Sequence, residues 1–155
     1  TGNMGSSMRM NYTMMGDTVN LAARLEPAAK HYGVYIIVAE NTYKAVADHF
    51  EWRLLDFLRV KGKKKPVKAY ELLSLKNDLS KEKNQLVQAF NEALDLYHNQ
   101  EWTKAKKRFV ESNELEEKFP HRPTNPSTVY IDRCDHFKLE PPDKDWDGVW
   151  TMTTK

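Results

Sequence analysis

The sequence is poor in cysteine, in long apolar runs and in net charge. Its 155 residues include one cysteine, Cys134, so no internal disulfide can form. The longest strongly apolar run, residues 34–39, is far shorter than the roughly 18 residues that a membrane span requires, and no signal peptide opens the chain. We therefore expect this part of the protein to make no membrane contact and to be cytoplasmic.

Charges of the two signs are nearly balanced, with 24 Lys and Arg against 22 Asp and Glu, for a net charge of +2. No whole-molecule field favours nucleic acid or a membrane surface. The lysine-rich stretch 61–65 is short and has no interleaved aromatic residue. We therefore expect no nucleic-acid partner, an alternative that would show itself by steep salt dependence. The five histidines lack metal-ligand spacing and receive no role.

Residues 1–73 carry mixed helix and strand patterns, in a chain whose 40% hydrophobic content is typical of a folded protein. The patterns predict a hairpin arm or a strand leading into a turn at 10–15, a helix at 18–32 and a strand at 34–38. They then predict a helix at 41–49 and a hairpin of strands 52–60 and 67–73. Gly33 stands where a C-terminal helix cap belongs. Pro27 is expected to kink or restart the first helix.

The composition changes at Ser74. Residues 74–83 are polar and charged, which predicts a linker. Helical periodicity follows at 84–97, 101–119 and 127–139, and defines a helical module over 84–140. The tail 141–155 contains Trp146 and Trp150, and we expect these side chains to pin it into the groove of the helices.

Asn20 and Arg24 are the strongest candidates for a chemical role. They are four residues apart near the start of the first predicted helix, so both project from one face where the helix dipole favours an anion. The Arg guanidinium suits phosphoryl oxygens, and the Asn amide can contact a sugar. The alternative reading is a surface arginine paired with a neighbour such as Glu26.

The surrounding sequence favours the phosphate reading. Residues 12–26, YTMMGDTVNLAARLE, with Gly2, Gly5 and Ser6 before them, closely resemble the segment of class III nucleotidyl cyclase catalytic domains that presents the transition-state residues. The stretch VKGK at 60–63 with PVKAYE at 66–71 looks like the closing hairpin of the same domain. The resemblance covers residues 1–73 and implies the C-terminal half of an adenylyl cyclase catalytic domain of bacterial type.

Carried over by position, the resemblance assigns four residues. It implies that Asn20 contacts the ribose, that Arg24 stabilises negative charge on the α-phosphate, and that Lys61 holds the terminal phosphates. Thr13 falls at the purine-selecting position and favours ATP over GTP. The implied reaction is attack of the ribose 3′-hydroxyl on the α-phosphate of ATP, which yields cyclic AMP and pyrophosphate.

The family's metal-binding half is missing from this sequence. The two aspartates that hold Mg²⁺ or Mn²⁺, and the purine-selecting lysine, belong upstream of Thr1, and we interpret the chain as a piece of a longer protein. Asp17 reads as a helix cap and Asp56 as a polar residue at a strand end. Since family members build each site across a dimer, we expect a homodimeric parent and little or no activity from this chain alone.

The second half resembles a tetratricopeptide repeat at Tyr97, Trp102, Ala105 and Phe109, although Gln100 stands where that repeat usually has glycine. Its ending also looks like the tail that follows the catalytic domain in many bacterial membrane-anchored cyclases. The expected fold is therefore α+β: a partial cyclase (ferredoxin-like) sheet with helices, followed by a small all-α repeat-like module. The alternative function is a non-catalytic helical interaction or dimerisation module, which an exposed groove lined by Phe90, Tyr97 and Trp102 would favour.

Overall fold

The computed structural model describes residues 2–6, 9–13, 17–60, 62 and 64–151, with side chains from Leu25 onward. The first half contains β1 (Gly2–Ser6), β2 (Arg9–Thr13), α1 (Asp17–Tyr32), β3 (Ile37–Ala39), α2 (Glu40–Val46), a 3-10 turn (Ala47–His49), β4 (Phe50–Leu58) and β5 (Val67–Leu75). The second half contains α3 (Lys81–His98), α4 (Trp102–Leu115) and α5 (Pro126–Leu139). The observed architecture is a mixture of helices and small antiparallel sheets.

The strands form two sheets. β1 and β2 pair antiparallel as a hairpin, with Gly2 opposite Thr13. The second sheet has the order β3-β5-β4, with both pairs antiparallel. Ala69 of β5 lies at its centre, opposite Ala39 on one side and Asp56 on the other. The predicted hairpin of two long strands is therefore confirmed as β4 and β5.

The helix boundaries follow from local chemistry. Ser80 caps α3 by accepting a hydrogen bond from the Lys83 amide at 3.2 Å. At α5, Asn125 and Thr128 form a reciprocal capping box, and Pro126 occupies the first turn, where a missing N–H costs nothing. Gly33 ends α1 with φ 71°, which confirms the cap that the sequence predicts.

Three sequence expectations differ from the structure. The strand expected at 34–38 is the shorter β3, Ile37–Ala39, and Tyr35 and Ile36 before it are exposed. Of the two alternatives at Pro27, the restart is wrong, because α1 is continuous through this residue, and the kink stays a prediction. A proline lacks the backbone N–H and so removes one hydrogen bond of the helix. Ala28 and Ala29, which follow it, pack against the core and stabilise the helix where this hydrogen bond is missing. The expected linker at 74–83 overlaps the end of β5 and the start of α3, so only residues 76–80 lie between these elements.

One hydrophobic core joins the two halves of the chain. Its buried members come from α1, the following turn, β4 and all three C-terminal helices: Tyr32, Val34, Leu55, Phe90, Ala93, Leu94, Tyr97, Ala105, Phe109, Val129, Tyr130, Cys134 and Phe137. The helices therefore pack on the strand-containing half as well as on each other. Within the described ranges, no helix combines the length and the apolar character that crossing a membrane demands.

Candidate functional site

Three of the four predicted site residues lie on described backbone. Asn20 and Arg24 are both in α1, one helical turn apart, as the sequence predicts. Thr13 is the last residue of β2. The fourth, Lys61, lies outside the described residues. The roles of these residues remain predictions.

The C-terminal end of α1 is held firmly. The Val34 amide bonds to the Ala29 carbonyl at 3.0 Å, and the Gly33 amide bonds to the Lys30 carbonyl at 3.2 Å. Tyr32 is 2% exposed and its ring enters the common core. The helix that carries Asn20 and Arg24 therefore ends inside the protein, with its last residue, Tyr32, packed in the common core.

Asp56 lies beside this end of α1 and is one of the most buried polar residues described, at 1% exposure. Its carboxylate accepts hydrogen bonds from the Tyr32 hydroxyl, from Arg133 Nη1 at 2.8 Å and from the Phe57 amide at 2.8 Å. The expectation of a strand-end polar residue is wrong, because Asp56 lies within β4 and faces the core. Its carboxylate is occupied by protein donors.

The charges of this cluster are fixed by their surroundings. Burial alone would lower the pKa of the Arg133 guanidinium, but the negative charge of Asp56 holds that pKa well above its usual range. Burial, followed by the charge of Asp56, raises the pKa of the Tyr32 hydroxyl well above its usual range. Tyr32 therefore stays a hydrogen-bond donor, and Arg133 stays a cation.

Sequence reasoning gave Tyr32 and Arg133 no role. A signal for Arg133 was present, because Tyr130, Arg133, Cys134 and Phe137 follow helical spacing and so share one face of α5. A charged residue on an apolar helix face requires a buried partner. The identity of that partner was hidden, since Asp56 precedes Arg133 by 77 residues.

A cleft of about 660 Å³ opens beside this cluster. It is bordered by His31 and Tyr32 of α1, by Asp56 and its neighbours in β4, by Arg133, and by Trp150 of the tail. Burial and the positive charge of Arg133 both lower the pKa of His31. The cleft is thus lined by α1 on one side and by the C-terminal segment on the other.

A second charged cluster connects β4, β5 and the end of α4. Arg53 lies 2.6 Å from Glu71 and 2.6 Å from Glu116, and Ser127 donates to Glu116 at 2.9 Å. Burial raises the pKa of Glu71 against the opposing effect of Arg53. These acids are satisfied by an arginine and a hydroxyl, which is the arrangement of a structural ion-pair network.

No metal site is found among the residues whose side chains are described: nowhere in them do three His, Cys, Asp or Glu side chains come together in a group that could hold an ion. Asp56, whose carboxylate accepts a hydrogen bond from Tyr32 of α1, is already paired with Arg133. The described side chains therefore do not fit a resident metal ion.

The tail packs as the sequence predicts. Trp146 lies edge-to-face against Tyr97 and Trp102, with ring centroids 5.3 and 5.7 Å apart, and Trp150 lies 5.0 Å from Phe137. Trp146 and Trp150 therefore pack the described part of the tail against α3, α4 and α5.

The comparisons with known proteins concern mainly the first half. Residues 1–74 match the family model for the adenylate and guanylate cyclase catalytic domain. The chain is 34% identical over 74 residues to "Adenylate cyclase 1" of Rhizobium meliloti (strain 1021), covering 48% of this chain and 11% of that protein. The family-model match covers the segment that contains Thr13, Asn20, Arg24 and Lys61.

A longer similarity extends into the helices. The chain is 32% identical over 137 residues to "Adenylate cyclase, terminal-differentiation specific" of Dictyostelium discoideum, covering 86% of this chain and 6% of that protein. The chain thus spans only a small part of these relatives. The chain is also similar to a solved structure, the crystal structure of the adenylyl cyclase CyaB from P. aeruginosa. The two sequences are 35% identical, the match covers 51% of this chain and 39% of the CyaB chain, and the TM-score is 0.39.

Proposed function

Because residues 1–74 match the adenylate and guanylate cyclase catalytic domain, we propose that the chain is part of an adenylate cyclase that converts ATP to cyclic AMP and pyrophosphate. The observation that carries the proposal is this match, over the segment in which Asn20 and Arg24 stand one turn apart on α1. The chain would supply the transition-state half of a site formed across a homodimer interface.

Each proposed role follows from charge and hydrogen bonding. Asn20 orients the ribose so that its 3′-oxygen faces the α-phosphorus. The ribose 3′-hydroxyl gives up its proton to solvent, the new P–O bond forms and the bond from the α-phosphorus to the pyrophosphate oxygen breaks. Negative charge grows on the α-phosphoryl oxygens during this step, and Arg24 stabilises it. Lys61 neutralises the departing pyrophosphate, and Thr13 contacts the purine. These groups act by position and charge, with no covalent intermediate.

Mg²⁺ or Mn²⁺ enters this proposal only with residues from elsewhere. The described side chains of this chain do not fit a metal ion, so the family's metal-binding aspartates would come from a longer protein. The chain alone is then expected to be inactive. In a site shared between two protomers, one protomer would contribute the metal ligands that this chain does not supply, and the other would contribute Asn20 and Arg24.

The alternative proposal, an interaction module, requires an exposed groove lined by Phe90, Tyr97 and Trp102, and these side chains do not form one. Phe90 and Tyr97 are fully buried, and Trp102 packs against the core that contains them. The residues proposed to line an exposed groove therefore form the interior. The likeness of this region to a tetratricopeptide repeat stays a prediction.

The test is complementation. The chain is mixed with a longer version of the protein that retains the metal-binding aspartates and carries Arg24→Ala, and cyclic AMP production from ATP is measured with Mg²⁺ or Mn²⁺. We expect activity from the mixture and none from either protein alone. Arg24→Ala in the chain itself should lower that activity by at least about 100-fold, because it removes a transition-state donor.

Lys30→Ala is the matched control. Lys30 lies on the same helix, and its side chain is 80% exposed in a weak pair with Glu26, so this variant should keep the complemented activity. A mixture that binds and is folded, yet makes no cyclic AMP, would overturn the proposal and favour the interaction module.

A further inference from the structure

We propose that the C-terminal helical segment positions α1 for catalysis, and that Tyr32 is the positioning residue through which it acts. The inference rests on the proposed function, in which α1 presents Asn20 and Arg24. It concerns residues 116–140, to which the comparisons assign no role and for which the sequence suggests only an interaction or dimerisation module.

Side chains of the loop before α5 donate hydrogen bonds to backbone carbonyls at the C-terminal end of α1. Arg122 Nη1 donates to the Gly33 carbonyl at 2.6 Å, and the Thr124 hydroxyl donates to the His31 carbonyl at 3.1 Å. The carbonyls at a helix C-terminus lack partners within the helix, so donors from another segment satisfy them and fix its end in place. A Cβ atom added to Gly33 would overlap the Thr124 carbonyl oxygen, which shows how closely the two backbones approach.

Tyr32 connects this end of α1 to both the sheet and α5. Its hydroxyl donates to Asp56 and accepts from Arg133 Nη2 at 3.1 Å, while Arg133 Nη1 bonds to Asp56 at 2.8 Å. The three residues are 2%, 1% and 4% exposed. In such a dry setting each bond is strong, and none is easily replaced by water. One phenol oxygen therefore links three separate elements.

The geometry of α1 makes its anchored end important for the site. Arg24 precedes Tyr32 by eight residues, or about 12 Å along the helix axis. A tilt of about 5° at the anchored end would displace Arg24 by about 1 Å, and a displacement of that size can lower catalysis about 100-fold. A fixed C-terminal end is thus a requirement for presenting Arg24 to a developing charge.

Tyr32→Phe tests the inference in the complementation mixture, because it removes the linking hydroxyl and keeps the ring. The matched control is Tyr130→Phe, since Tyr130 is fully buried in the same core and its hydroxyl donates to the Leu55 carbonyl, yet it lies outside α1. We expect Tyr32→Phe to lower kcat about 10-fold with KM for ATP little changed, and Tyr130→Phe to leave kcat near wild type.

A second readout does not depend on activity. Hydrogen exchange of the folded chain alone should be faster in the α1 amides of Tyr32→Phe than in those of Tyr130→Phe. Thr124→Val removes a single bond to α1 with little change in shape, and it should shift kcat and exchange in the same direction by a smaller amount. This variant keeps the test decisive if Tyr32→Phe fails to fold.

The outcomes separate the two proposals. Equal kcat for Tyr32→Phe and Tyr130→Phe, with active wild-type mixtures, would overturn the positioning role and leave the cyclase proposal standing. Inactive wild-type mixtures would overturn both as statements about catalysis. Unchanged exchange in α1 would overturn the anchoring of the helix whatever the activity.

Discussion

Arg133 and Asp56 form a buried ion pair, with 2.8 Å between Arg133 Nη1 and Asp56 Oδ2. The pair joins α5 to β4 in the middle of the common core, where each charge would be costly alone. Its partners lie 77 residues apart, on the two sides of the composition change near Ser74. The stability of the whole described chain should therefore depend on it.

Asp56→Asn should lower the free energy of unfolding by about 3–5 kcal/mol, because it leaves the Arg133 charge buried without a counter-ion. Urea denaturation followed by circular dichroism measures the change. Asp135→Asn is the control, since Asp135 pairs with Lys106 at 2.7 Å on the half-exposed surface of α5 and should cost less than about 1 kcal/mol. Equal effects of the two changes would contradict the importance of the buried pair.

Gly33→Ala should destabilise the protein more than Gly62→Ala. Both glycines have positive φ, 71° and 84°, so alanine costs about 1–2 kcal/mol of backbone energy at either position. Only at Gly33 does the new Cβ overlap another backbone, that of Thr124, whereas nothing lies within 4 Å of the Cβ at Gly62. The clash adds about 1–3 kcal/mol. Thermal or urea unfolding of both variants measures the difference between their unfolding free energies. Equal losses of stability would contradict the close approach of Gly33 to the Thr124 backbone.

Cys134 should resist thiol reagents in the folded protein. Its side chain is fully buried, and burial raises the pKa of the thiol to about 12, so little reactive thiolate exists near neutral pH. We expect labelling by a chromogenic disulfide at pH 8 to be at least about 100-fold slower than in concentrated urea. Rapid labelling without denaturant would show that α5 opens readily from the core.

His98 should make the protein less stable in mild acid. Its ring stacks on Phe57 at 4.4 Å, and among the described residues its Nε2 has no hydrogen-bond partner. Burial lowers its pKa, the nearby Asp56 and Asp95 oppose that shift, and Lys68 adds to it. The unfolded chain therefore binds the proton more readily, so stability should fall as the pH drops below about 6.5 and level off below the lowered folded pKa.

Urea denaturation at several pH values between 7 and about 5 measures this slope. His98→Gln should flatten the pH dependence of the unfolding free energy, because it removes the buried imidazole that the unfolded chain protonates more readily. A smaller slope should persist in His98→Gln, since the pKa of His31 is lowered too. Parallel pH profiles for wild type and His98→Gln would exclude His98 as the cause.

Gln100→Gly should leave the turn between α3 and α4 more stable than Gln100→Ala does. Gln100 has φ 62°, in the left-handed region that favours glycine. Its side chain also donates to the Asp143 carbonyl at 3.3 Å, a bond that any shortening loses. Gln100→Ala loses the same bond and keeps the strained φ, so the glycine variant should exceed the alanine variant by about 1 kcal/mol in unfolding free energy. The reverse order would mean that the turn carries no strain.

Local patterns in the sequence determined most of the elements. Alternating apolar residues and a polar turn predicted β4 and β5, and helical spacing predicted α3, α4 and α5 to within a few residues at most boundaries. The largest difference is at α4, which ends at Leu115 where the periodicity suggested 119. These elements were predictable because turns, caps and amphipathic faces depend on residues that are neighbours along the chain. The segment at residues 12–26 likewise predicts the candidate site, since it is a contiguous motif, and the roles of its residues stay predictions.

Only the tertiary structure decided what surrounds that motif. The sequence placed a boundary at 74–83, yet one core contains Tyr32 and Leu55 together with Phe90 and Tyr130. Asp56 read as a strand-end residue until the fold brought Arg133 to it, and nothing local to Gly33 indicates that Thr124 packs on its backbone. Charge pairing and close packing depend on contacts between segments that are far apart along the chain, and such contacts cannot be predicted from the local patterns of a single sequence.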